Sequence, residues 1–189
     1  MFCAMLGVVK SRWQVRIDTS LVESLMLGVE KFGDREKTNV VTDEWLKFLE
    51  KKKFPNLNFL CINCCIIITD AGLTEVARGC SSLQTLNLDC CCSNITDASL
   101  MVVARRCSNL QTLNLYNCSN ITDASLLEVA TQGCSNLQSL YLGGCRNITA
   151  ACRNALQQSN SKTTNLKFSY IWSTRSSTKK FDFPIRNLK

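Results

Sequence analysis

Residues 107–133 read CSNLQTLNLYNCSNITDASLLEVATQG. Just upstream, residues 80–106 read CSSLQTLNLDCCCSNITDASLMVVARR, and just downstream the chain resumes at Cys134 with CSNLQSLYLGGCRNIT. Each copy carries two hydrophobic rhythms. Leu113 and Leu115 alternate with Thr112, Asn114 and Tyr116, the period of two that belongs to a strand. Leu126, Val129 and Ala130 then fall at i, i+3 and i+4, one stripe of a helix. Thr122 suits the helix N-cap, Asp123 suits the positive end of the helix dipole, and Gly133 can close the C-terminus. One strand–turn–helix unit cannot bury its own apolar side. Stacked units can, by pairing their strands into a parallel sheet with the helices outside.

The copies align over much of the chain. Phe54, Cys80, Cys107 and Cys134 open them, at a period of 26 or 27 residues. Three, six and eight residues later stand Leu57, Leu60 and Ile62; Leu83, Leu86 and Leu88; Leu110, Leu113 and Leu115; and Leu137, Leu140 and Leu142. Cys65, Cys91, Cys118 and Cys145 follow, and then IITD, NITD, NITD and NITA. The repeats are therefore placed at 54–79, 80–106, 107–133 and 134–160, with residues 41–53 as the helical half of a degenerate earlier copy. Residues 1–40 should cap the open end: RWQVRID (12–18) alternates like a strand, and SLVESLMLGVEKFG (20–33) reads as a helix with a capping box from Ser20 to Glu23 and a stop at Gly33. In 161–189, NLKFSYIW (165–172) alternates like a last strand, and a polar basic tail follows. The fold expected is an α/β solenoid, a curved parallel sheet on the concave side and helices on the convex side.

Composition narrows the function. The net charge of +7 is concentrated at the C-terminal end, where residues 160–189 carry seven basic side chains and one acidic. Residues 54–159 carry five basic and six acidic side chains, which argues against a nucleic-acid surface in the repeats. No run of apolar residues reaches membrane-spanning length. The opening MFCAMLGVV has no basic residue before it and Lys10 and Arg12 after it, the wrong charge order for a signal peptide. A cytoplasmic or nuclear location with reduced thiols is the expectation for the thirteen cysteines.

The pattern C-x-x-L-x-x-L-x-L-x-x-C, followed by I-T-D and a helix, resembles the cysteine-containing leucine-rich repeats of F-box/leucine-rich-repeat proteins and of the antagonist-of-mitotic-exit family. The likeness covers about residues 41–160. It implies a leucine-rich-repeat solenoid and a non-catalytic module that selects substrates for a cullin-type ubiquitin ligase. No F-box is visible in residues 1–53, so an adaptor of such a ligase would be reached through a missing or separate subunit. The alternatives are a structural or regulatory fragment without a partner site of its own, or a zinc-binding protein.

The recurring cysteines sit where packing explains them. Cys80, Cys107 and Cys134 fall between helix and strand, and Cys65, Cys91, Cys118 and Cys145 fall just after the strand. A thiol there fills an inner corner and offers a weak hydrogen bond. Cys3, Cys61, Cys64, Cys90, Cys92 and Cys152 remain. Cys61 and Cys64 form one C-x-x-C, but a zinc ribbon needs two, and strand alternation turns Cys61 to the open side while Cys65 points inward. The sequons at Asn94, Asn117, Asn120 and Asn147 arise from the repeat itself. With no histidine, no phosphate-binding glycine loop, and Asp70, Asp97 and Asp123 at helix starts, neither an enzyme nor a cofactor is expected.

Function should then lie on the open face of the strands. Three columns can be written there: Phe59, Thr85, Thr112 and Ser139; Cys61, Asn87, Asn114 and Tyr141; and Asn63, Asp89, Tyr116 and Gly143. Tyr116 and Tyr141 lie one strand apart and diagonal, and aromatic anchors among amides and hydroxyls suit a protein partner.

Overall fold

The computed structural model describes residues 2–5, 20, 22–26, 41–52, 54–90, 94–129, 134–159 and 167–168. Strands and helices alternate along most of it. The order is β1 (Phe2–Met5), β2 (Val22–Met26), α1 (Asp43–Lys52), β3 (Phe59–Cys61), α2 (Asp70–Gly79), β4 (Thr85–Asn87), α3 (Asp97–Arg106), β5 (Thr112–Asn114), α4 (Asp123–Glu128), β6 (Ser139–Tyr141), α5 (Ala150–Ser159) and β7 (Lys167–Phe168). The strands pair in sequence order into one parallel sheet. The chain is an α/β solenoid.

Its core is made by the periodic leucines. Leu60, Leu86, Leu113 and Leu140 are paired across neighbouring strands and are all buried. The helical stripes Leu73, Val76 and Ala77, then Leu100, Val103 and Ala104, then Leu126 and Val129, join them in one cluster. Ile68, Ile95, Ile121 and Ile148 close the corner before each helix. Burial of one such aliphatic side chain stabilises by about 1.5–3 kcal/mol, and each repeat supplies several.

The helix starts link the repeats. Thr69, Thr96 and Thr122 are N-caps whose hydroxyl oxygens accept from Ala71, Ala98 and Ala124 N–H at 3.2, 3.2 and 3.3 Å. The same threonines face backward along the stack. Thr96 donates its N–H to Asp70 Oδ1 at 2.8 Å and its hydroxyl to Asp70 Oδ2 at 2.6 Å. Asp43 receives the same pair of bonds from Thr69, Asp97 from Thr122, and Asp123 from Thr149. Ser99 and Ser125 add their hydroxyls to Asp70 and Asp97. Gly72 occupies the corresponding place in α2, where a Cβ would lie 2.2 Å from Asp43 Oδ1. Ala150 carries no carboxylate, so this ladder ends at Thr149.

The N-terminal reading needs correction. Residues 22–26 form a strand, not part of a helix over 20–33. Ser24, Leu25 and Met26 pair with Phe59, Leu60 and Cys61, and Val22 and Leu25 are buried in the core. Val22, Leu25 and Leu27 in fact follow the same L-x-x-L-x-L spacing as the repeats. Residues 12–18, proposed as the capping strand, lie outside the described residues, as does the basic tail.

Removing one rung of the ladder should be costly. Asp97→Ala leaves three donors without a charged acceptor, and a loss of about 2–3 kcal/mol is expected in urea unfolding at neutral pH; Asp123→Ala, at the exposed end, should cost less. Burial alone would raise the Asp70 pKa, but bonds from Ser99 and Thr96 outweigh it and hold the carboxyl below its ordinary 3.8. Stability from Asp70 is therefore fully present above the ordinary value and is lost as pH falls through the lowered one. Unfolding midpoints should be flat from pH 7 to 5 as far as Asp70 is concerned, and Asp70→Asn should remove part of the acid-side loss.

Candidate interaction surface

The strand register sets the three columns side by side. Phe59, Thr85, Thr112 and Ser139 are successive partners, and Cys61, Asn87, Asn114 and Tyr141 form the next row. The first row is half-buried throughout. The second row is not an open one. Cys61, Asn87 and Asn114 are only 5%, 5% and 2% exposed, and Tyr141 alone in that row is half-buried. Their polar atoms work locally: Asn87 Nδ2 donates to Cys61 Sγ at 3.4 Å, and Asn87 Oδ1 accepts from Asp89 N–H at 3.0 Å. Asn114 Oδ1 accepts from Tyr116 N–H at 2.9 Å in the same way. Cys61 is thus covered, although alternation sets it on the open side of the strand. The cause is that these side chains bond to one another and to the turn that follows each strand.

The third row lies just beyond the strands, still in step. Cys64 N–H donates to Asp89 O at 2.7 Å, Cys90 N–H to Tyr116 O at 3.0 Å, and Asn117 N–H to Gly143 O at 2.7 Å. Asn63, Asp89 and Tyr116 are half-buried there, and Gly143 is buried. The next residue of each copy turns the chain through the left-handed region: Cys64, Cys90 and Asn117 have φ of 59°, 59° and 60°, and Gly144 has 78°. Non-glycine residues rarely adopt it. Only Asn117 and Gly144 in this set are residue types that signal such a turn, so the sequence alone did not reveal the column.

Asp89 differs from the carboxylates of the ladder. Its Oδ1 is buried and has no hydrogen-bond partner. Burial pushes its carboxyl above the ordinary 3.8, and a bond with the Cys90 thiol opposes this.

The thiols behave as filler. Cys118 Sγ donates to Leu88 O at 3.5 Å and Cys145 Sγ to Leu115 O at 3.0 Å, each reaching into the preceding repeat. Cys107 and Cys134 reach Cys80 O and Cys107 O at 3.8 and 3.7 Å. Burial pushes the Cys80 and Cys107 thiols up to about 12 and the Cys134 thiol up to about 11, with neighbouring thiols adding to the effect at Cys107. Cys90 is also pushed up to about 12, by burial first. Such groups are poor nucleophiles and poor ligands at neutral pH. Cys80, Cys90, Cys107, Cys134 and Cys152 are free cysteines. Among the described residues no three acidic or thiol groups converge as a metal site. Cys91 and Cys92 lie outside those residues.

Comparison with known proteins agrees with this architecture. Residues 108–157 match the family model described as leucine rich repeats, two copies. The α/β array is accordingly a repeat solenoid in which residues 108–157 are similar to leucine-rich repeats. No curated protein matches the chain. Among solved structures, the chain is similar to one in the crystal structure of the Rad7 and Elc1 complex in yeast, at 18% identity and a TM-score of 0.48. The match covers 65% of this chain and 38% of that one, so this chain spans well under two thirds of that protein's length. Among the described residues no helix is long and apolar enough to cross a membrane.

Alkylation separates filler from reactive thiol. In the native protein at pH 8, Cys80, Cys107 and Cys134 should be modified by iodoacetamide at least about a hundredfold more slowly than in urea, because few are thiolate and none is exposed. Peptide mass spectrometry over time gives the rates. Fast modification of any of the three would contradict the raised values.

Proposed function

We propose that this chain is a non-catalytic protein-interaction module that receives a protein partner on the open face of its strands. The observation that carries the reading is the register: three rows of side chains are held in step on one sheet by the repeat ladder. Phe59, Thr85, Thr112 and Ser139, with Asn63, Asp89, Tyr116 and Tyr141, are the half-buried members available for contact. Cys61, Asn87 and Asn114 support them from beneath. Repeat sheets of this kind form extended surfaces because neighbouring units contribute equivalent side chains. The resemblance to F-box/leucine-rich-repeat proteins favours a finer reading, in which the face selects substrates for a ubiquitin ligase whose adaptor binds elsewhere in the assembly.

Chemistry is a weaker reading for this site. The chain has no histidine. Asp43, Asp70, Asp97 and Asp123 are engaged between repeats, and burial holds the Cys80 and Cys107 thiols protonated.

The test is affinity purification from cells with the wild type and the Tyr116→Ala, Tyr141→Ala double variant, after circular dichroism confirms that both fold. Loss of two aromatic anchors should lower recovery of the specific partners by about tenfold or more. Equal recovery of every partner would remove the strand face from consideration. Absence of any ubiquitin-ligase adaptor or its subunits among the retained proteins would remove the finer reading and leave the general one.

A further inference from the structure

This inference deepens the reading of the strand face and rests on it. We propose that Asp89 is the receptor for a lysine or arginine side chain of the protein partner, with Tyr116 of the neighbouring repeat as the wall along which that side chain lies.

Four observations carry it. Asp89 is the one charged residue in the three rows, which contain no lysine or arginine. Within those rows the charge is a single carboxylate, in a chain of net charge +7. Second, the repeat does not require an acid there: the equivalent positions hold Asn63, Tyr116 and Gly143. The backbone of Asp89 is already satisfied, its N–H by Asn87 Oδ1 and its carbonyl by Cys64 N–H.

Third, Oδ1 is buried without a hydrogen-bond partner, whereas both carboxylate oxygens of Asp43, Asp70, Asp97 and Asp123 accept bonds. An unpaired buried carboxylate oxygen is costly, and such a group calls for a missing partner. Burial also holds the carboxyl above its ordinary range, which a facing cation would reverse. Fourth, the register places Tyr116 beside Asp89, about 4.8 Å away in the hydrogen-bonding direction. A phenol ring there accepts the alkyl stem or guanidinium plane while the charged end meets the carboxylate.

The chemistry also discriminates among occupants. A metal ion needs several converging oxygens or thiolates, and among the described residues no such group exists. A nucleic-acid backbone would bring phosphate to a carboxylate and is disfavoured. A basic segment of a protein matches the half-buried carboxylate and the aromatic wall together.

A random-peptide display library selected against the full chain tests this, with wild type, Asp89→Asn and the Tyr116→Ala, Tyr141→Ala variant compared by direct binding of the enriched peptides. Asp89→Asn is isosteric and removes a partly buried charge, so its unfolding midpoint should not fall. Wild type should enrich peptides with one fixed lysine or arginine, and Asp89→Asn should weaken them by about tenfold. Replacing that peptide lysine by norleucine should cause a similar loss on wild type and little on Asp89→Asn. Peptides that lose affinity with the tyrosine variant yet bind Asp89→Asn as tightly as wild type would overturn the cation receptor and spare the strand face. Enriched peptides indifferent to both variants would sink the face itself.

Discussion

The carboxylate of each helix-starting aspartate reaches forward to the threonine that caps the next helix, and the rest of the structure depends on that link. A threonine at a helix start has one N–H, one hydroxyl hydrogen and an oxygen lone pair to place. Here the oxygen caps its own helix and both hydrogens go to the preceding repeat. The aspartate in turn sits in the first turn of its own helix, where the dipole favours a negative charge. Local capping and stacking are therefore one interaction. The period of 26 or 27 residues can vary little, because a rung must meet the next one within hydrogen-bond distance. Cysteine thiols repeat the same device more weakly on the strand side, donating to carbonyls of the previous copy. Leucine burial makes the array stable, while these bonds fix its pitch.

Much of this was legible in the sequence because the repeat is written several times. Alternation at Leu113 and Leu115 and the stripe at Leu126 and Val129 identify a strand and a helix, and the recurrence identifies a stack. What one repeat cannot display is the bond to its neighbour. Asp123 reads as a helix-start residue, which is correct locally and says nothing of Thr149. The segment 20–33 failed for a related reason. Val22, Leu25 and Met26 fall at i, i+3 and i+4, which fits a helix, but Val22, Leu25 and Leu27 also fit the strand motif. Pairing with the exposed edge of β3 decides between them, and that is a tertiary constraint invisible to periodicity.

The surface was legible in its rows and not in its depth. Alternation placed Cys61, Asn87 and Asn114 on the open side, and the register does put them in one row. It could not show that an asparagine amide would bend down to hold the following turn. Asparagine and aspartate commonly bond to backbone two residues on, so a strand ending in Asn was itself the available signal. The left-handed residues were hidden for another reason. Cys64 and Cys90 are not turn formers by type; they hold that conformation because Asp89 and Tyr116 carbonyls fix their N–H groups.

The distribution of satisfied and unsatisfied polar groups then separates architecture from use. Where a side chain serves the stack, the structure closes its hydrogen bonds: the ladder aspartates, Asn87 and Asn114 each have their partners. Cys107 follows the same rule, since burial keeps the proton that its thiol donates. Catalysis would need the opposite arrangement, a group held ready to gain or lose a proton near neutrality. A binding face needs something different again, polar atoms fixed in place and left open on one side. Asp89 departs from the stack in this respect: the residue is half-buried, its backbone is tied at both ends, and one buried carboxylate oxygen remains unmatched. Because the repeat tolerates asparagine, tyrosine or glycine at the same step, the acid answers to a demand from outside the fold.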